Sequence, residues 1–500
     1  MLKKSIMIQG TTSDAGKSVL CTALCRIFTQ DGYHVNPFKA QNMALNSYTT
    51  YDGHEIGRAQ AVQAEACNQP ASAEMNPLLL KPTSDRRSQI ILNGQIYDTL
   101  NASDFYKQKE SFRSHILDAF HALQDKSDIV VLEGAGSPAE INLKQHDLVN
   151  MSMAQSSDSP VLLVADIDRG GVFASLYGTV SLLTPEERAR VKGFIINKFR
   201  GDPSLLQDGL RQIEALTGIP VLGVIPHMEL HLDDEDSVVD FAKFTRNPPD
   251  ADLDIVSIRL PYMANFNDIN PLLLEPKIRF RFIEPIDTLG TPQLIVLLGT
   301  KNSMEAARVL HETGMVHQIR TAYQNGSCIF GICGGFQLLG RALFDPHHHE
   351  GDTDFQPGIG LFDLSTQFGS KKYTGMVHSV DQMFGLPIKG YELHQGCSID
   401  YQEETPFAFL GERKDGAIHH DRRVAATYLH GIFDNGGFTR SYLNMVRNHH
   451  HIPAHDGPLV DYVAFKHDEY DRLARVVRQH IDLPAIYRLM SLSKHTTKKR

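Results

Sequence analysis

Cysteine is scarce in this sequence, which contains six among its 500 residues. The six positions show no paired spacing of the kind that cysteine-ligated zinc sites use, so such a site is not expected. Sparse thiols are typical of proteins that work in a reducing compartment. We therefore expect a cytoplasmic location.

Long apolar runs and an excess of positive charge are also missing. No stretch reaches the roughly 18 consecutive apolar residues that a membrane-spanning helix needs, and the apolar run at the N-terminus is too short for a signal peptide. Lys and Arg number 49 against 59 Asp and Glu, which gives a net charge of −10. A domain that binds nucleic acid through its phosphates normally carries a basic excess. The sequence therefore predicts neither a membrane nor a nucleic acid as partner.

Composition and length indicate ordinary globular domains. Hydrophobic residues make up 42% of the chain and charged residues 22%, which excludes a mostly disordered chain, a collagen-like repeat and a long coiled coil. At about 150 residues per domain, the length allows roughly three domains or two larger ones.

Short apolar runs alternate with helical stretches through the first 230 residues. The runs are rich in Val and Ile, as in strands buried on both faces of a parallel sheet. The pattern breaks at the turn-rich segment 247–250 and then restarts. The predicted fold class is α/β, with two parallel-sheet domains and a C-terminal helical segment. The predicted strands are 5–9, 129–132, 161–165, 193–196, 221–224, 254–260, 293–299 and 327–332, the predicted helices are 17–30, 55–67, 104–124, 204–217 and one or two within 460–490, and the predicted domains are residues 1–246, 251–445 and 455–490.

A glycine-rich loop lies between the first predicted strand and a predicted helix. Residues 10–18 read Gly-Thr-Thr-Ser-Asp-Ala-Gly-Lys-Ser, with five residues between the glycines, whereas the strict P-loop has four. Small residues let backbone N–H groups converge on phosphate oxygens, the lysine reaches the β- and γ-phosphates, and the serine offers a hydroxyl to Mg²⁺. We predict a phosphate site of a nucleotide, formed by Gly10, Thr11, Asp14, Gly16, Lys17 and Ser18.

Carboxylates lie at the ends of two later predicted strands. Glu133 ends an apolar run and precedes a glycine, and ligands of open α/β sheets lie outside the carboxyl ends of the strands. A carboxylate beside a phosphate loop suits Mg²⁺, so Ser18 and Glu133 are the predicted metal ligands. Asp166 and Asp168 end another strand, and their role stays open between metal and substrate binding.

Cys333 lies at a predicted strand-to-helix turn. The strand 327–332 leads into Cys-Gly-Gly-Phe-Gln at 333–337, after which the apolar spacing becomes helical. This is the arrangement of a nucleophile elbow with sulfur in place of the serine oxygen, and a helix N-terminus favours a thiolate. The predicted oxyanion donors are the N–H of Gly334 and the glycine turn at Gly299.

A catalytic thiol needs a base, and two histidines qualify. His430 follows the apolar run 424–429 and precedes a glycine, which is where a Cys–His pair would form. His394, within the segment 390–396, is the second candidate. We predict that Cys333 is the nucleophile and His430 the base.

Together these motifs resemble a known family. Segment 333–337 with His430 is similar to class I glutamine amidotransferase domains, and the first domain resembles the dethiobiotin synthetase-like P-loop group, whose loop has the same extra residue. In this order on one chain, the two resemble the cobyrinate/cobyric acid amidase family. The resemblance is to its cobyric acid synthase branch, and it is carried by segments 9–18, 37–47, 133–143, 166–171 and 390–394.

The resemblance implies an amidation that uses two sites. Cys333 would attack the side-chain amide of L-glutamine, forming a glutamyl thioester and releasing ammonia, while His430 moves the protons. The P-loop domain would use ATP and Mg²⁺ to activate a corrinoid carboxylate as an acyl phosphate, which ammonia converts to the amide. The implied corrinoid is adenosylcobyrinic acid a,c-diamide, amidated at side chains b, d, e and g to (adenosyl)cobyric acid in cobalamin biosynthesis.

The resemblance assigns two further residues and leaves one role open. Asn197 lies where related synthetases have an adenine-reading asparagine, and Lys39 matches a lysine near the reacting phosphate. Most triad amidotransferases have Glu two residues after the histidine, whereas this position is Ile432. No orienting acid can be assigned, which predicts a loosely oriented His430 and slow glutamine hydrolysis unless the synthetase domain is loaded.

Two alternatives remain. One is a P-loop glutamine amidotransferase with another carboxylate acceptor, such as cobyrinic acid a,c-diamide synthase, which lacks the Ala-Gln-Asn-Met segment found at 40–43. The other is a ParA-like partitioning ATPase. Such proteins usually have an early P-loop lysine that residues 11–15 lack, and this interpretation leaves Cys333 and His430 unexplained.

Overall fold

The computed structural model describes residues 4–84, 86–233, 241–400 and 404–492. Within those ranges, no helix is both long enough and apolar enough to cross a membrane. The first half of the chain folds in order as β1 (Lys4–Gly10), α1 (Lys17–Gln30), β2 (Val35–Phe38), β3 (Gln41–Met43), β4 (Ser47–Thr49), β5 (Glu55–Gly57), α2 (Arg58–Ala66), β6 (Leu78–Pro82), β7 (Arg87–Leu92), β8 (Gln95–Asn101), α3 (Ala102–Gln108), α4 (Arg113–Lys126), β9 (Ile129–Glu133), α5 (Met151–Ser156), β10 (Val161–Asp166), α6 (Val172–Ser181), α7 (Pro185–Arg190), β11 (Val191–Phe199), α8 (Gln207–Thr217) and β12 (Val221–Pro226).

A parallel sheet organises this half. Its strand order is β12-β11-β10-β1-β9-β2, and each neighbouring pair is parallel. β9 and β10 are buried along their whole length because packed side chains cover both faces of the sheet. The α/β fold predicted from the Val- and Ile-rich runs is confirmed. The carboxyl ends of β1, β9 and β10 share one edge of the sheet, which brings Gly10, Glu133 and Asp166 to that edge.

The chain segment that connects β2 to β9 forms a small separate sheet, which was not predicted. Its order is β3-β6-β7-β8, and β4 pairs with β5 in a separate hairpin. The helix predicted over 55–67 begins at Arg58 because Glu55–Gly57 pairs with β4 instead. The helix predicted over 104–124 is divided between α3 and α4. Short strands that mix polar and apolar residues, such as Gln41–Met43, lack the apolar run by which the other strands were found.

The second half folds in order as β13 (Leu253–Ile258), α9 (Asn270–Leu274), β14 (Ile278–Ile283), β15 (Leu294–Leu297), α10 (Ser303–Glu312), α11 (Met315–Gln324), β16 (Cys328–Ile332), α12 (Gly334–Leu339), β17 (Ala342–Phe344), β18 (Phe355–Pro357), β19 (Ser365–Val380), β20 (Pro387–Ile399), β21 (Ala408–Leu410), β22 (Arg413–Asp415), β23 (Ala417–Ile418), β24 (Val424–Thr427), β25 (Leu429–His430), α13 (Gly436–His449), α14 (Tyr462–His480) and α15 (Leu483–Leu489).

Two sheets form this half. The main sheet has the order β14-β13-β15-β16-β24-β23 and is parallel except at β23, so a second parallel-sheet domain is present as predicted. The other sheet, β18-β17-β19-β20-β25, is built on the long β19–β20 hairpin. This hairpin reaches the first half of the chain, where Thr374 Oγ1 donates to the carbonyl of Gly53 over 2.6 Å.

The C-terminal helices return to the first half of the chain. On α14, Tyr470, Leu473 and Val477 are buried in the cluster that also contains α1 residues such as Leu24 and Phe28. At the edge of this contact, Arg26 Nε donates to Asp471 Oδ1 over 2.7 Å. The last described helices therefore cover the outer face of the first helix.

We expect Leu473→Ala to lower the free energy of unfolding by about 2–5 kcal/mol, because it leaves a cavity between α14 and α1. Val463→Ala is the matched control, since Val463 lies on the same helix but is 40% exposed. Chemical denaturation measures both. An equal loss of unfolding free energy in the two variants would contradict the role of α14 as a core helix.

Candidate active site

The phosphate loop is held by its own backbone and by Asn197. Gly16 has φ 101°, a left-handed conformation that glycine adopts without strain, and it starts α1. A Cβ on Gly16 would lie 2.0 Å from Asn197 Nδ2, which donates to the Ala15 carbonyl over 3.1 Å. Lys17 Nζ donates to the carbonyls of Thr12 (2.9 Å) and Gly136 (3.2 Å). Asn197 thus contacts the predicted phosphate site, while its predicted reading of adenine stays a prediction.

The predicted metal residues lie together with Lys39. Ser18 Oγ donates to Glu133 Oε1 over 2.8 Å, and Lys39 Nζ contacts the same oxygen at 2.9 Å. Gln63 Nε2 donates to the other oxygen, Oε2, over 2.5 Å. Glu133 is 1% exposed. A hydroxyl and a carboxylate are hard oxygen donors of the type that Mg²⁺ takes, so the residues fit the ion. The contact of Gln63 with Glu133 was not predicted because the sequence of α2 contains no recognisable binding motif.

The other residues predicted at the carboxyl edge of the first parallel sheet bind neighbouring backbone and side-chain groups. Thr11 N donates to the Val164 carbonyl over 2.9 Å, which continues the parallel pairing of β1 beyond Gly10. Lys198 Nζ donates to the Asp14 carbonyl and to Asp166 Oδ2, each over 2.8 Å. Asp168 lies further out, where Arg200 contacts it at 3.2 Å. Asp166 thus holds Lys198 in place, and Lys198 in turn binds the backbone of the phosphate loop.

Cys333 occupies the elbow between β16 and α12. Its φ of 52° and ψ of −108° are unusual for a residue with a side chain, as at other nucleophile elbows. A Cβ on Gly335 would lie 1.9 Å from the Leu297 carbonyl oxygen, so only glycine allows this close packing. Cys333 Sγ donates to the Leu393 carbonyl over 3.7 Å. The sulfur therefore lies between α12 and β20.

His430 is oriented by a carboxylate that the sequence did not reveal. Asp268 Oδ2 lies 2.7 Å from His430 Nδ1, and Asp268 Oδ1 accepts from Gly431 N over 2.8 Å. The loose orientation expected from Ile432 is therefore wrong, because the acid comes from the 3₁₀ turn Phe266–Ile269 of the same domain. Burial alone would lower the pKa of His430, but the charges of Asp268 and Cys333 outweigh it and raise this pKa to about 10.

The position of Asp268 in the sequence does indicate a catalytic role. It lies in the connection that follows β13, at the carboxyl edge of the second parallel sheet. Loops at this edge carry the ligands and catalytic groups of α/β domains. The connection after β13 follows the same rule as those of the first sheet.

His394, the second candidate base, has both ring nitrogens engaged elsewhere. Nδ1 contacts the Gly396 carbonyl at 2.7 Å and Nε2 contacts Glu392 Oε1 at 3.1 Å. The ring stacks on Tyr428 with a centroid separation of 3.8 Å. Burial lowers the pKa of His394, although Glu392 opposes this shift. The geometry therefore favours His430 as the base.

The predicted oxyanion glycines border the Cys–His pair. A Cβ on Gly299 would lie 3.2 Å from His430 Cε1 and 3.8 Å from Cys333 Cβ. Gly334 is the first residue of α12, where backbone N–H groups have no partner within the helix. The use of these two N–H groups by an oxyanion stays a prediction.

Charged side chains line the cavity beside Cys333. Lys81, from β6 of the first half, and Lys372, from β19, both contact Glu55, and the distance from Lys81 Nζ to Glu55 Oε1 is 2.8 Å. On another wall, Lys301 Nζ lies 3.4 Å from Glu350 Oε1. Burial and the charge of Lys81 lower the pKa of Lys372 to about 8, against the opposing effect of Glu55. These charges were missed because they lie far apart in the sequence.

Both halves of the chain are similar to known proteins. Residues 6–235 match the family model of the CobQ/CobB/MinD/ParA nucleotide binding domain, and residues 254–438 match that of the CobB/CobQ-like glutamine amidotransferase domain. A cobyric acid synthase from Clostridium novyi is 47% identical over 498 residues, covering 98% of each chain. One from Photorhabdus laumondii is 46% identical over 502 residues, covering 97% of this chain and 98% of that one. The chain belongs to the cobyric acid synthase family.

Membership of the cobyric acid synthase family settles the class of enzyme. The chain is a glutamine-dependent amidating ligase, and its P-loop domain indicates that it uses ATP. A partitioning ATPase does not account for the amidotransferase domain. Among solved structures, a glutamine amidotransferase aligns with a TM-score of 0.31 at 16% identity, covering 39% of this chain and 98% of that chain.

We expect Asp268→Asn to lower kcat for glutamine hydrolysis by about 10²–10⁴-fold, because His430 loses the charge that raises its pKa and the group that orients its ring. Glu392→Gln is the control, since it removes the carboxylate beside the other histidine, and it should cost less than about tenfold. Ammonia release from glutamine measures both. Asp268 is not the orienting acid if the larger loss follows from Glu392→Gln.

Proposed function

We propose that the protein converts adenosylcobyrinic acid a,c-diamide to (adenosyl)cobyric acid in cobalamin biosynthesis, by amidating corrinoid side chains b, d, e and g. The observation that carries this proposal is near-full-length similarity to relatives named cobyric acid synthase, together with a Cys–His–Asp arrangement and a phosphate loop on one chain. The proposed units are residues 1–246 for synthesis, 251–445 for glutamine hydrolysis and 455–490 as a helical segment. A cytoplasmic location stays a prediction.

Glutamine hydrolysis begins when the Cys333 sulfur attacks the side-chain amide carbon of glutamine. His430, whose raised pKa keeps it protonated, holds the proton given up by the thiol and passes it to the leaving amine, so that ammonia departs and a glutamyl thioester remains. The N–H groups of Gly334 and Gly299 are suited to stabilising the oxyanion of each tetrahedral intermediate. Water then hydrolyses the thioester to glutamate, with His430 again moving the proton.

Carboxylate activation takes place at the phosphate loop. The loop N–H groups and Lys17 bind the phosphates of ATP, and a corrinoid carboxylate oxygen attacks the γ-phosphorus to give an acyl phosphate and ADP. Ammonia displaces phosphate from this acyl group and forms the amide. Mg²⁺, held by Ser18 and Glu133, would supply positive charge against the phosphate oxygens. Lys39 adds a buried positive charge beside Glu133.

The charges around Cys333 suit the zwitterionic end of glutamine. Lys372 and Lys81 line one side of the cavity, and Glu350 lines it as well. We assign the α-carboxylate of glutamine to Lys372 and the α-ammonium group to Glu350. Both residues line the same cavity as Cys333 and carry the charges that complement the two ends of the glutamine zwitterion.

Mass spectrometry of adenosylcobyrinic acid a,c-diamide, incubated with the protein, ATP, Mg²⁺ and glutamine, tests the function. We expect stepwise amidation up to cobyric acid. Cys333→Ala should act with ammonium but not with glutamine, because it loses glutamine hydrolysis and retains the synthetase site. An untouched corrinoid with continued glutamine hydrolysis would show that the acceptor is another carboxylate.

The pH dependence of kcat/KM for glutamine tests Lys372. Lys372 is protonated below its pKa of about 8 and neutral above it, so kcat/KM should fall as pH rises through about 8. Lys372→Arg keeps its charge and should remove this fall, although glutamine itself also titrates at higher pH. The assignment fails if the two profiles coincide between pH 7 and about 9.

A further inference from the structure

A second and larger cavity lies next to the one beside Cys333. The cavity beside Cys333, which we call the inner cavity, encloses about 40 Å³. The neighbouring cavity, which we call the outer cavity, encloses about 630 Å³. Glu350 and Gln395 line both of them. The two cavities therefore meet at these two side chains.

The inner cavity is too small for a whole glutamine molecule. A single water molecule needs roughly 10–15 Å³ of such space, so the inner cavity has room for about three waters. The side-chain amide of glutamine must reach Cys333, and the α-carbon lies three carbon–carbon bonds from the carbon that the sulfur attacks. The α-amino acid end of glutamine therefore extends to the boundary at Glu350 and Gln395.

Both halves of the chain form the walls of the outer cavity. Gln89 and Thr99, which face each other on the neighbouring strands β7 and β8, line it from the first half. Asn302, at the start of α10, lines it from the second half. Asn302 Nδ2 donates to the carbonyl of Thr83 over 3.2 Å. This hydrogen bond ties the two walls together.

Acidic side chains outnumber basic ones among the described residues that line the outer cavity. The basic ones are Arg87 and Arg308, and the acidic ones are Asp98, Glu305, Glu350 and Asp352. An acidic surface repels polyanions, which argues against ATP or a corrinoid with several carboxylates as its occupant. Glutamine has no net charge and is not repelled. The outer cavity therefore suits glutamine better than either of the other substrates.

Gln89 of the first half connects the boundary between the cavities with Lys372. Its side chain is buried, with Oε1 accepting from Lys372 Nζ over 3.5 Å and Nε2 donating to Gln395 Oε1 over 3.3 Å. Across the strand pair, Gln89 lies opposite Lys81, which lines the inner cavity. One amide thus contacts both the lysine assigned to the α-carboxylate and a side chain that the two cavities share.

We infer that glutamine enters through the outer cavity, and that Gln89 of the synthetase half is a positioning residue for its α-amino acid end. Gln89 acts through Lys372 and Gln395, so its effect falls on the binding of glutamine and not on the attack by Cys333. The inference rests on the proposed assignment of the α-carboxylate to Lys372. The two halves then share one glutamine site, in which the second half supplies the reacting groups and the first half supplies part of the binding surface.

Gln89→Leu tests the positioning role, because it removes both amide contacts and keeps a similar side-chain volume. We expect KM for glutamine to rise about tenfold with kcat within about twofold, since these contacts serve the bound substrate and the transition state alike. Gln95→Leu makes the same exchange on β8, at an exposed side chain outside both cavities, and should leave KM unchanged. Ammonia release from glutamine measures both variants.

Alkylation of Cys333 separates positioning from a general loss of structure. One reagent is a diazoketone analogue of glutamine that keeps the α-amino acid end, and the other is iodoacetamide, which lacks that end. Loss of glutamine hydrolysis follows both reactions. Gln89→Leu should slow inactivation by the analogue about tenfold and inactivation by iodoacetamide less than about twofold. A distorted Cys–His–Asp site would instead slow both reactions.

Thr99→Trp tests the entrance, because Thr99 lines the outer cavity and a large ring there narrows it. We expect kcat/KM for glutamine and the rate of inactivation by the analogue to fall about tenfold or more, with kcat within about twofold. Thr288→Trp is the matched control, since Thr288 is exposed and lies outside both cavities, and it should match wild type.

Three results would overturn the inference: an unchanged KM for glutamine in Gln89→Leu, equal slowing of the two reagents in that variant, or equal rates in Thr99→Trp and Thr288→Trp. A wrong assignment of Lys372 alone would appear in its pH profile and leave the entrance test intact. None of these assays uses a corrinoid. A wrong acceptor would therefore appear only in the mass-spectrometric experiment.

Discussion

The buried contact between Asp268 and His430 is the interaction on which the amidotransferase half depends. A buried histidine without charged partners would favour its neutral form, whereas the charges of Asp268 and Cys333 raise the pKa of His430 to about 10, and Asp268 fixes its ring. The two residues are 162 positions apart. They meet because the turn that carries Asp268 follows β13, and His430 follows β24 of the same sheet, so both lie at the carboxyl edge of that sheet.

The cavity beside Cys333 is lined by residues of both halves of the chain. Glu55 lies between Lys81 and Lys372, and all three are nearly removed from solvent. Buried charges are tolerated when they are paired, and the loss of one partner leaves an uncompensated charge. The cavity wall is therefore complete only when the synthetase half is in place.

Much of the fold and the site could be predicted because the signals were local. Val- and Ile-rich runs marked the parallel strands, and the loop motifs at 10–18 and 333–337 marked the phosphate site and the nucleophile elbow. Asp268 and Lys372 were missed because tertiary contacts alone bring them to Cys333. β3 and the β19–β20 hairpin were missed because their mixed polar sequences resemble loops.

The return of α14 to α1 has a consequence for biosynthesis of the chain. Helix α1 is synthesised early, yet the residues that cover its outer face, such as Leu473 and Val477, are synthesised after the amidotransferase half. The nascent first domain thus exposes an apolar surface while the whole amidotransferase half is translated and folds. Exposed apolar surface of this kind is what chaperones bind. The enzyme is therefore suited to chaperone-assisted rather than strictly domain-by-domain cotranslational folding.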